Sequence, residues 1–159
     1  MTTLIPTDVM ELLSKSGVSP LVIKGKNILP IVQGGMGVGV SAHRLAGAVA
    51  KAGGVGTISS IDLRRLHPDL MEQTQHLKPC SESREAINAA NIEALRREIL
   101  QAKKDAGGFG LIAVNVMKAV NEYAQYVRCS LENGADIIVV GAGLPLDLPD
   151  LAADYPDAL

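Results

Sequence analysis

The sequence predicts an α/β fold built on a parallel sheet. Short continuous apolar runs alternate along the chain with stretches whose apolar residues recur at helical spacing. Runs of this kind are typical of strands that are buried on both faces. A chain of 159 residues with 47% apolar content also suffices for one domain with a substantial core. We therefore expect a single domain over residues 1–159, made of alternating strands and helices.

The patterns place four strands and the helices that precede and connect them. A first helix over Asp8–Ser16, capped by Asp8 and stopped by Gly17, comes before the first strand. The predicted strands cover residues 28–33, 55–59, 111–116 and 137–140, in that spatial order. The connecting helices start after Ser41 as a cap, near Asn91 and at Asn121, and each ends at glycine.

The number of strands indicates an incomplete barrel. An eight-stranded TIM-type β/α barrel takes about 250 residues, and four strands with three crossovers account for about half of one. The segment Gly143–Leu159 then reads as a proline-rich acidic loop rather than a terminal cap. We expect the N-terminal half of a barrel with two open sheet edges. Unpaired backbone groups and exposed inward faces would make it self-associate and leave it inactive alone.

Charge and composition exclude several classes of function. Fifteen basic and seventeen acidic residues give a net charge of −2 without blocks of one sign, so nucleic acid and acidic lipid are unsuitable partners. Apolar runs stay far below the roughly 18 residues of a membrane span, and no signal peptide is recognisable. Cys80 and Cys129 lie outside any metal-binding spacing, as expected for reduced thiols of a cytoplasmic protein without a metal site.

A glycine-rich stretch, PIVQGGMGVGVS at residues 30–41, connects the first strand to the next helix. Ligands of α/β folds bind at such strand-to-helix turns. The stretch lacks the Lys-Ser/Thr of a Walker A loop, and Val40 stands where the dinucleotide fingerprint requires its third glycine. Two interpretations stay open: a bare backbone that approaches a flat ligand closely, or a tight turn required only by conformation.

Two further strand ends have unusual residues. Asn115 interrupts the apolar third strand, and Gly141-Ala142-Gly143 follows the fourth. A buried amide needs hydrogen-bond partners, which either a ligand or neighbouring backbone can supply. Because the carboxyl ends of parallel strands meet at one edge, these residues and the glycine-rich stretch predict a pocket for a planar heterocycle.

Four segments in this order resemble the nitronate monooxygenases, formerly called 2-nitropropane dioxygenases. They are PIVQGGMGVGVS, AGAVAKAGGVGTIS, IAVNVM and ADIIVVGAGLP. Flavin-type enoyl-acyl carrier protein reductases share much of this set. The resemblance implies a TIM-type barrel that binds FMN at its mouth and oxidises alkyl nitronates with O2 to carbonyl compounds and nitrite. It also implies that the backbone of Gly35, Met36 and Gly37 lies against the isoalloxazine ring, and that Asn115 hydrogen-bonds its polar edge.

The chain departs from the family pattern in its second half. The family's catalytic histidine lies in a later AGGH-type segment, which this sequence does not contain, so no catalytic residue is assigned. His43, His67 and His76 do not stand near a carboxylate at a relay-like spacing, and we expect surface or helix-flanking positions for them. Whether the chain is itself an enzyme stays open. The alternatives are an enoyl-thioester reductase-like flavoenzyme or a non-catalytic fragment that needs a partner half.

The long connection Ser60–Ala90 allows two interpretations. Its stretch DLRRLHPDLMEQTQ can form a lid over the cofactor, with Arg64 and Arg65 steering an anionic nitronate. It can also form an ordinary packed helix with two solvated arginines, which is the interpretation we favour.

Overall fold

The computed structural model describes residues 2–77 and 80–159 and is a mixed α/β fold. The strands are β1 Thr2–Thr3, β2 Leu21–Ile23, β3 Lys26–Ile28, β4 Val55–Ser59, β5 Leu111–Met117 and β6 Ile137–Gly141. The helices are α1 Thr7–Ser16, α2 His43–Lys51, α3 Pro68–Thr74, α4 Ser81–Ala106, α5 Tyr123–Glu132 and α6 Leu148–Leu151, with a 3-10 helix at Leu63–Leu66. Among the described residues, no helix is both long and apolar enough to cross a bilayer.

The main sheet is parallel, as predicted. Its order is β4-β5-β6, with Val55 paired to Leu111 and Ala113 paired to Ile137. Parallel strands require long crossover connections. The long stretch between β4 and β5 is one of them, and the segment with α5, between β5 and β6, is the other. The described residues form an open sheet and no closed barrel.

The first predicted strand, residues 28–33, does not form a regular strand in the structure. Val32 forms a single parallel bridge to Val55, which places this segment beside β4 and confirms the predicted order of the four strands. Ile28 belongs to β3 instead. Pro30 has no N–H group, so the segment cannot continue a regular ladder through that position.

A second, small sheet of order β1-β3-β2 was not expected from the sequence. Its two antiparallel strands meet at Lys24 and Gly25, whose φ values of 45° and 73° suit the tight two-residue hairpins that follow the sheet twist. Ile28 packs in one buried cluster with Val55 and Leu111, near the amino ends of β4 and β5. The small sheet thus covers one face of the main sheet at the amino ends of its strands. We call this face the inner face.

The helices cover the other face of the main sheet. Ile58, Ile112 and Val114 form one buried cluster with residues of α2, α4 and α5. The contributing helical residues include Ala46, Ala50, Leu95, Ile99, Ala102 and Val127. Gly56 allows α2 to approach β4 very closely, because a Cβ atom at this position would lie only 1.9 Å from the carbonyl oxygen of Ala46.

Several helix boundaries differ from the predictions. The first helix begins at Thr7 after Pro6, so the predicted Asp8 cap is wrong and Asp8 lies within the first turn. Gly17 ends that helix in the left-handed conformation, as predicted. The helix predicted to begin near Asn91 is α4, which begins at Ser81. Alanines with high helix propensity extend it through residues that lack an apolar stripe.

The segment Gly143–Leu159 is more ordered than the predicted loop. It contains α6, and Leu159 pairs with the outer edge of β6. The N–H group of Leu159 donates to Asp136 O at 3.0 Å, and Ile138 N–H donates to Leu159 O at 2.9 Å. The expectation of a wholly unpaired edge is therefore wrong at Ile138.

The two cysteines are not joined by a disulfide. Cys129 is buried, and its thiol donates to the carbonyl oxygen of Ile92 at 3.6 Å. Burial raises the pKa of this thiol to about 11, so it stays protonated near neutral pH. The structural role expected for Cys129 is consistent with this position.

Candidate functional site

The candidate site lies at the carboxyl ends of the parallel strands, where the structure brings Gly35 and Asn115 into contact. A Cβ atom at Gly35 would lie 2.8 Å from Cβ and 2.9 Å from Nδ2 of Asn115. Side chains do not approach this closely, so only glycine fits here without displacing Asn115. The sequence-predicted residues from two different strand ends are thus neighbours.

Asn115 is half-buried, and its side-chain amide has no hydrogen-bond partner among the described residues. Its backbone oxygen accepts a hydrogen bond from Ser60 N–H at 3.1 Å. The side chain itself makes no hydrogen bond to any residue in the part of the chain that the structure describes. An amide offers both donors and an acceptor, so this group can recognise a polar ligand edge.

Gly37 lies against the end of β4 in a similar way. A Cβ atom at Gly37 would lie 3.2 Å from Ser59 Oγ and 3.4 Å from Cβ of Ile61. Ser59 is buried and pairs in register with Asn115 on β5. The inner surface at this end of the sheet therefore carries a hydroxyl and an amide side by side.

Ser41 holds the glycine-rich loop in place, a role that differs from the predicted helix cap. Its hydroxyl accepts a hydrogen bond from Met36 N–H at 2.9 Å, and its own N–H donates to Met36 O at 3.0 Å. Ala42 occupies the position before α2. Because Met36 N–H is engaged, it is not available to a ligand, whereas the N–H groups of Gly35 and Gly37 have no partner among the described residues.

Gln33 connects this loop to the sheet, and sequence reasoning did not single it out. Its Oε1 accepts from Thr57 N–H at 2.9 Å, and its Nε2 donates to Ser41 Oγ at 2.9 Å. The side chain therefore spans the gap left where the first segment lacks a regular ladder to β4.

Several exposed apolar side chains belong to the glycine-rich loop, to the end of β5 and to the segment that follows β6. They are Met36, Val38, Val40, Met117, Leu144 and Leu146. The most exposed of them is Leu146, at 80%. A concentration of apolar side chains beside a few polar groups is typical of ligand-binding or protein-binding surfaces.

Lys118 stabilises the loop that follows β6. Its Nζ lies 2.6 and 2.8 Å from the two carboxyl oxygens of Asp147 and 4.0 Å from the ring centroid of Tyr123. The hydrogen bond from Lys118 lowers the pKa of Asp147. Nothing in the local sequence indicated this pair, because 29 residues separate its members.

His43 and His67 flank α2 and α3, as predicted, but both also lie beside a carboxylate that their spacing in the sequence did not indicate. Glu98, only 2% exposed, accepts from the backbone N–H of His43 at 2.7 Å and lies 2.8 Å from its Nδ1. The other carboxyl oxygen lies 3.1 Å from Nε2 of His67, close enough for an ion pair but without hydrogen-bond alignment. These residues are far apart in the sequence, so their spacing did not indicate the cluster. The packing of α4 brings them together.

The long connection packs against the glycine-rich loop. A Cβ atom at Gly39 would lie 2.8 Å from a methyl carbon of Leu66. Arg65 is 58% exposed, but the side chain of Arg64 is only 11% exposed and donates to Thr74 Oγ1 at 3.0 Å. The interpretation with two solvated arginines is therefore wrong for Arg64, whose guanidinium holds the 3-10 helix to α3.

Several cavities lie away from this site, including one of about 580 Å³ beside α4 and the start of α5. One of about 310 Å³ is formed by apolar residues around β6 and α6, including Ile138, Leu148 and Leu159. Another of about 290 Å³ lies near Asp136 and Tyr155. We place the candidate site at the strand ends despite these cavities, because an open sheet presents its ligand surface as a face rather than an enclosed space. Among the described residues, no group of histidine, cysteine and acidic side chains could hold a metal ion.

The described residues thus form a β/α protein with a parallel sheet, whose carboxyl edge carries bare glycine backbone and the amide of Asn115 and is the candidate ligand site. The family model of nitronate monooxygenase matches residues 19–150. The chain therefore belongs to the nitronate monooxygenase family, whose members are flavin-dependent oxidoreductases. The matched range contains every residue of the candidate site. A search of curated proteins finds no match to this chain.

Proposed function

We propose that this chain is the N-terminal half of a TIM-type barrel of an FMN-dependent nitronate monooxygenase. The observation that carries the proposal is the contact between the bare backbone of Gly35 and the unpartnered amide of Asn115. A flat ring needs a surface without side chains beside a group that can hydrogen-bond its polar edge, and these two residues supply both.

The residues present fit a flavin at this position. Gly35, Met36 and Gly37 would lie along the isoalloxazine ring, with the N–H groups of the two glycines as donors. Asn115 would hydrogen-bond the polar edge of the ring. FMN, when bound, supplies the redox chemistry that links oxidation of an alkyl nitronate to molecular oxygen. This half contributes binding and orientation, and we assign it no acid or base.

A second candidate, reduction of enoyl thioesters, is supported by the apolar side chains of the loop that follows β6. Leu144 and Leu146 in this loop are largely exposed. An acyl chain would bury these side chains, whereas a small nitronate would leave most of their area in water. The two candidates share the flavin site and differ in the substrate that reaches it.

The test is a fusion of this chain to the carboxyl-terminal half of a complete nitronate monooxygenase. We expect the purified fusion protein to retain FMN and to release nitrite from an alkyl nitronate in air. Reduction of an enoyl thioester without nitrite release would favour the second candidate. A fusion protein that folds by circular dichroism but holds no flavin would contradict both.

The 159-residue chain alone is expected to self-associate and to turn over no nitronate. Val140 lies on the β6 edge beyond the Leu159 pairing, and Val32 is exposed beside the opposite edge. Such edges and apolar faces pair with other chains. Size-exclusion chromatography with light scattering checks the prediction. An active monomer that binds FMN would contradict it. Cys80 and Cys129 are not joined to each other, which supports a cytoplasmic location as part of the same proposal.

A further inference from the structure

Glu98 caps α2 from outside that helix. No side chain of the segment that precedes α2 hydrogen-bonds its first turn. The carboxyl group of Glu98, on α4, instead accepts from the N–H group of His43, the first residue of α2. The first N–H groups of a helix need partners, and an acidic group there is favourable. Since α2 directly follows the glycine-rich loop, Glu98 fixes the point where that loop ends.

The same carboxyl group also faces the long connection. His67 separates the 3-10 helix from α3, and its Nε2 is buried with Glu98 Oε1 at 3.1 Å. A second contact joins the connection to α4, because Arg64 N–H donates to Asn91 Oδ1 at 3.2 Å. Arg97 of α4 also donates to the carboxylate of Asp69, so residues 61–74 of the connection are attached to α4 at three places.

The glycine-rich loop and the connection touch each other directly. Leu66, next to His67, packs where a Cβ atom of Gly39 would be, and Ile61 packs beside Gly37. A closed set of contacts results: loop to connection, connection to Glu98, and Glu98 to the helix that follows the loop. If the glycine-rich loop or the connection moves, the contacts of the other segment with its neighbours must change as well.

We propose that Glu98 is a positioning residue that couples the glycine-rich loop, residues 34–42, to the connection at residues 61–67. The two segments then move as one unit, and a ligand that orders the loop also orders the connection. The relevance to flavin rests on the function proposed above. The coupling itself rests only on contacts within this chain.

Hydrogen–deuterium exchange of the 159-residue chain tests the coupling, with His67→Ala as the decisive variant. Removal of the His67 side chain is expected to speed exchange about tenfold in residues 61–67, a typical effect of losing one buried side-chain contact. Within residues 34–42, exchange should also rise severalfold at Met36 and Ser41, whose amides are hydrogen-bonded to each other's residues and not to His67. Glu98→Gln should affect both segments, and β5 should stay protected in both variants.

Glu93→Gln is the matched control. Glu93 lies on the same helix and bonds Arg96 and Arg97. Arg97 holds Asp69 through a different nitrogen, Nη1, which Glu93→Gln leaves in place, so both segments should stay unchanged. Faster exchange in residues 61–67 alone, or equally in β5, would overturn the coupling.

In the fusion protein, Glu98→Gln should weaken FMN binding about tenfold and Glu93→Gln should not. Equal FMN affinity would overturn the positioning role, whereas a wild-type fusion without flavin would refute the proposed function and leave the exchange result standing.

Discussion

Replacing Gly35 by leucine is expected to abolish FMN retention in the fusion protein. The first carbon of the new side chain would lie 2.8 Å from Asn115 Cβ, so Asn115 must move. The remaining carbons then occupy the surface proposed for the ring, and an occupied site excludes the ligand rather than weakening one contact. Flavin absorbance of the purified protein, per protein chain, measures the effect.

Gly34→Leu is the control for this substitution. A Cβ atom at Gly34 meets no atom within 4 Å, so the same added side chain should leave flavin content unchanged. Asn115→Ala should be intermediate, since one lost hydrogen bond costs about 1 kcal/mol, or roughly a fivefold higher dissociation constant. Normal flavin content in Gly35→Leu would refute the proposed platform.

Gly56→Ala is expected to have the largest effect on stability. The added methyl carbon would lie 1.9 Å from the carbonyl oxygen and 2.5 Å from the carbonyl carbon of Ala46. These are backbone atoms of α2, so the helix must separate from β4 along the buried cluster that they share. We expect a loss of about 4 kcal/mol or more, a large part of the roughly 5–15 kcal/mol that stabilises a typical domain.

Gly141→Ala provides the comparison within the same sheet. A Cβ atom at Gly141, the last residue of β6, has no neighbour within 4 Å. The same substitution there should change stability by less than about 1 kcal/mol. Urea denaturation followed by circular dichroism measures both variants, and similar midpoints for the two would contradict the tight α2–β4 packing.

The strands and their order followed from features that are local in the sequence. Val55–Ser59, Leu111–Met117 and Ile137–Gly141 are short, mostly apolar runs with a glycine at one end, and burial on both faces demands apolar runs. The proximity of Gly35 and Asn115 also followed, because carboxyl ends of parallel strands meet at one edge. Their roles toward a flavin stay predictions.

Contacts between distant residues could not be predicted in this way. Glu98 lies within a helix whose periodicity makes it one more charged residue, and only the packing of α4 on α2 places it beside His43. Likewise, Ser41 stands where a helix cap is expected, but its hydroxyl bonds Met36. Strands as short as Thr2–Thr3 and Lys26–Ile28 give no periodic signal at all.

The long connection between β4 and β5 has a consequence for synthesis on the ribosome. Ser59 leaves the ribosome about three to ten seconds before Leu111, at elongation rates of about 5–20 residues per second. During that interval β4 lacks the neighbour that completes its ladder. Helix α2, already made, can cover one face of β4 through the contact at Gly56. We infer that the nascent chain depends on this helix–strand pair, or on a chaperone, until β5 emerges.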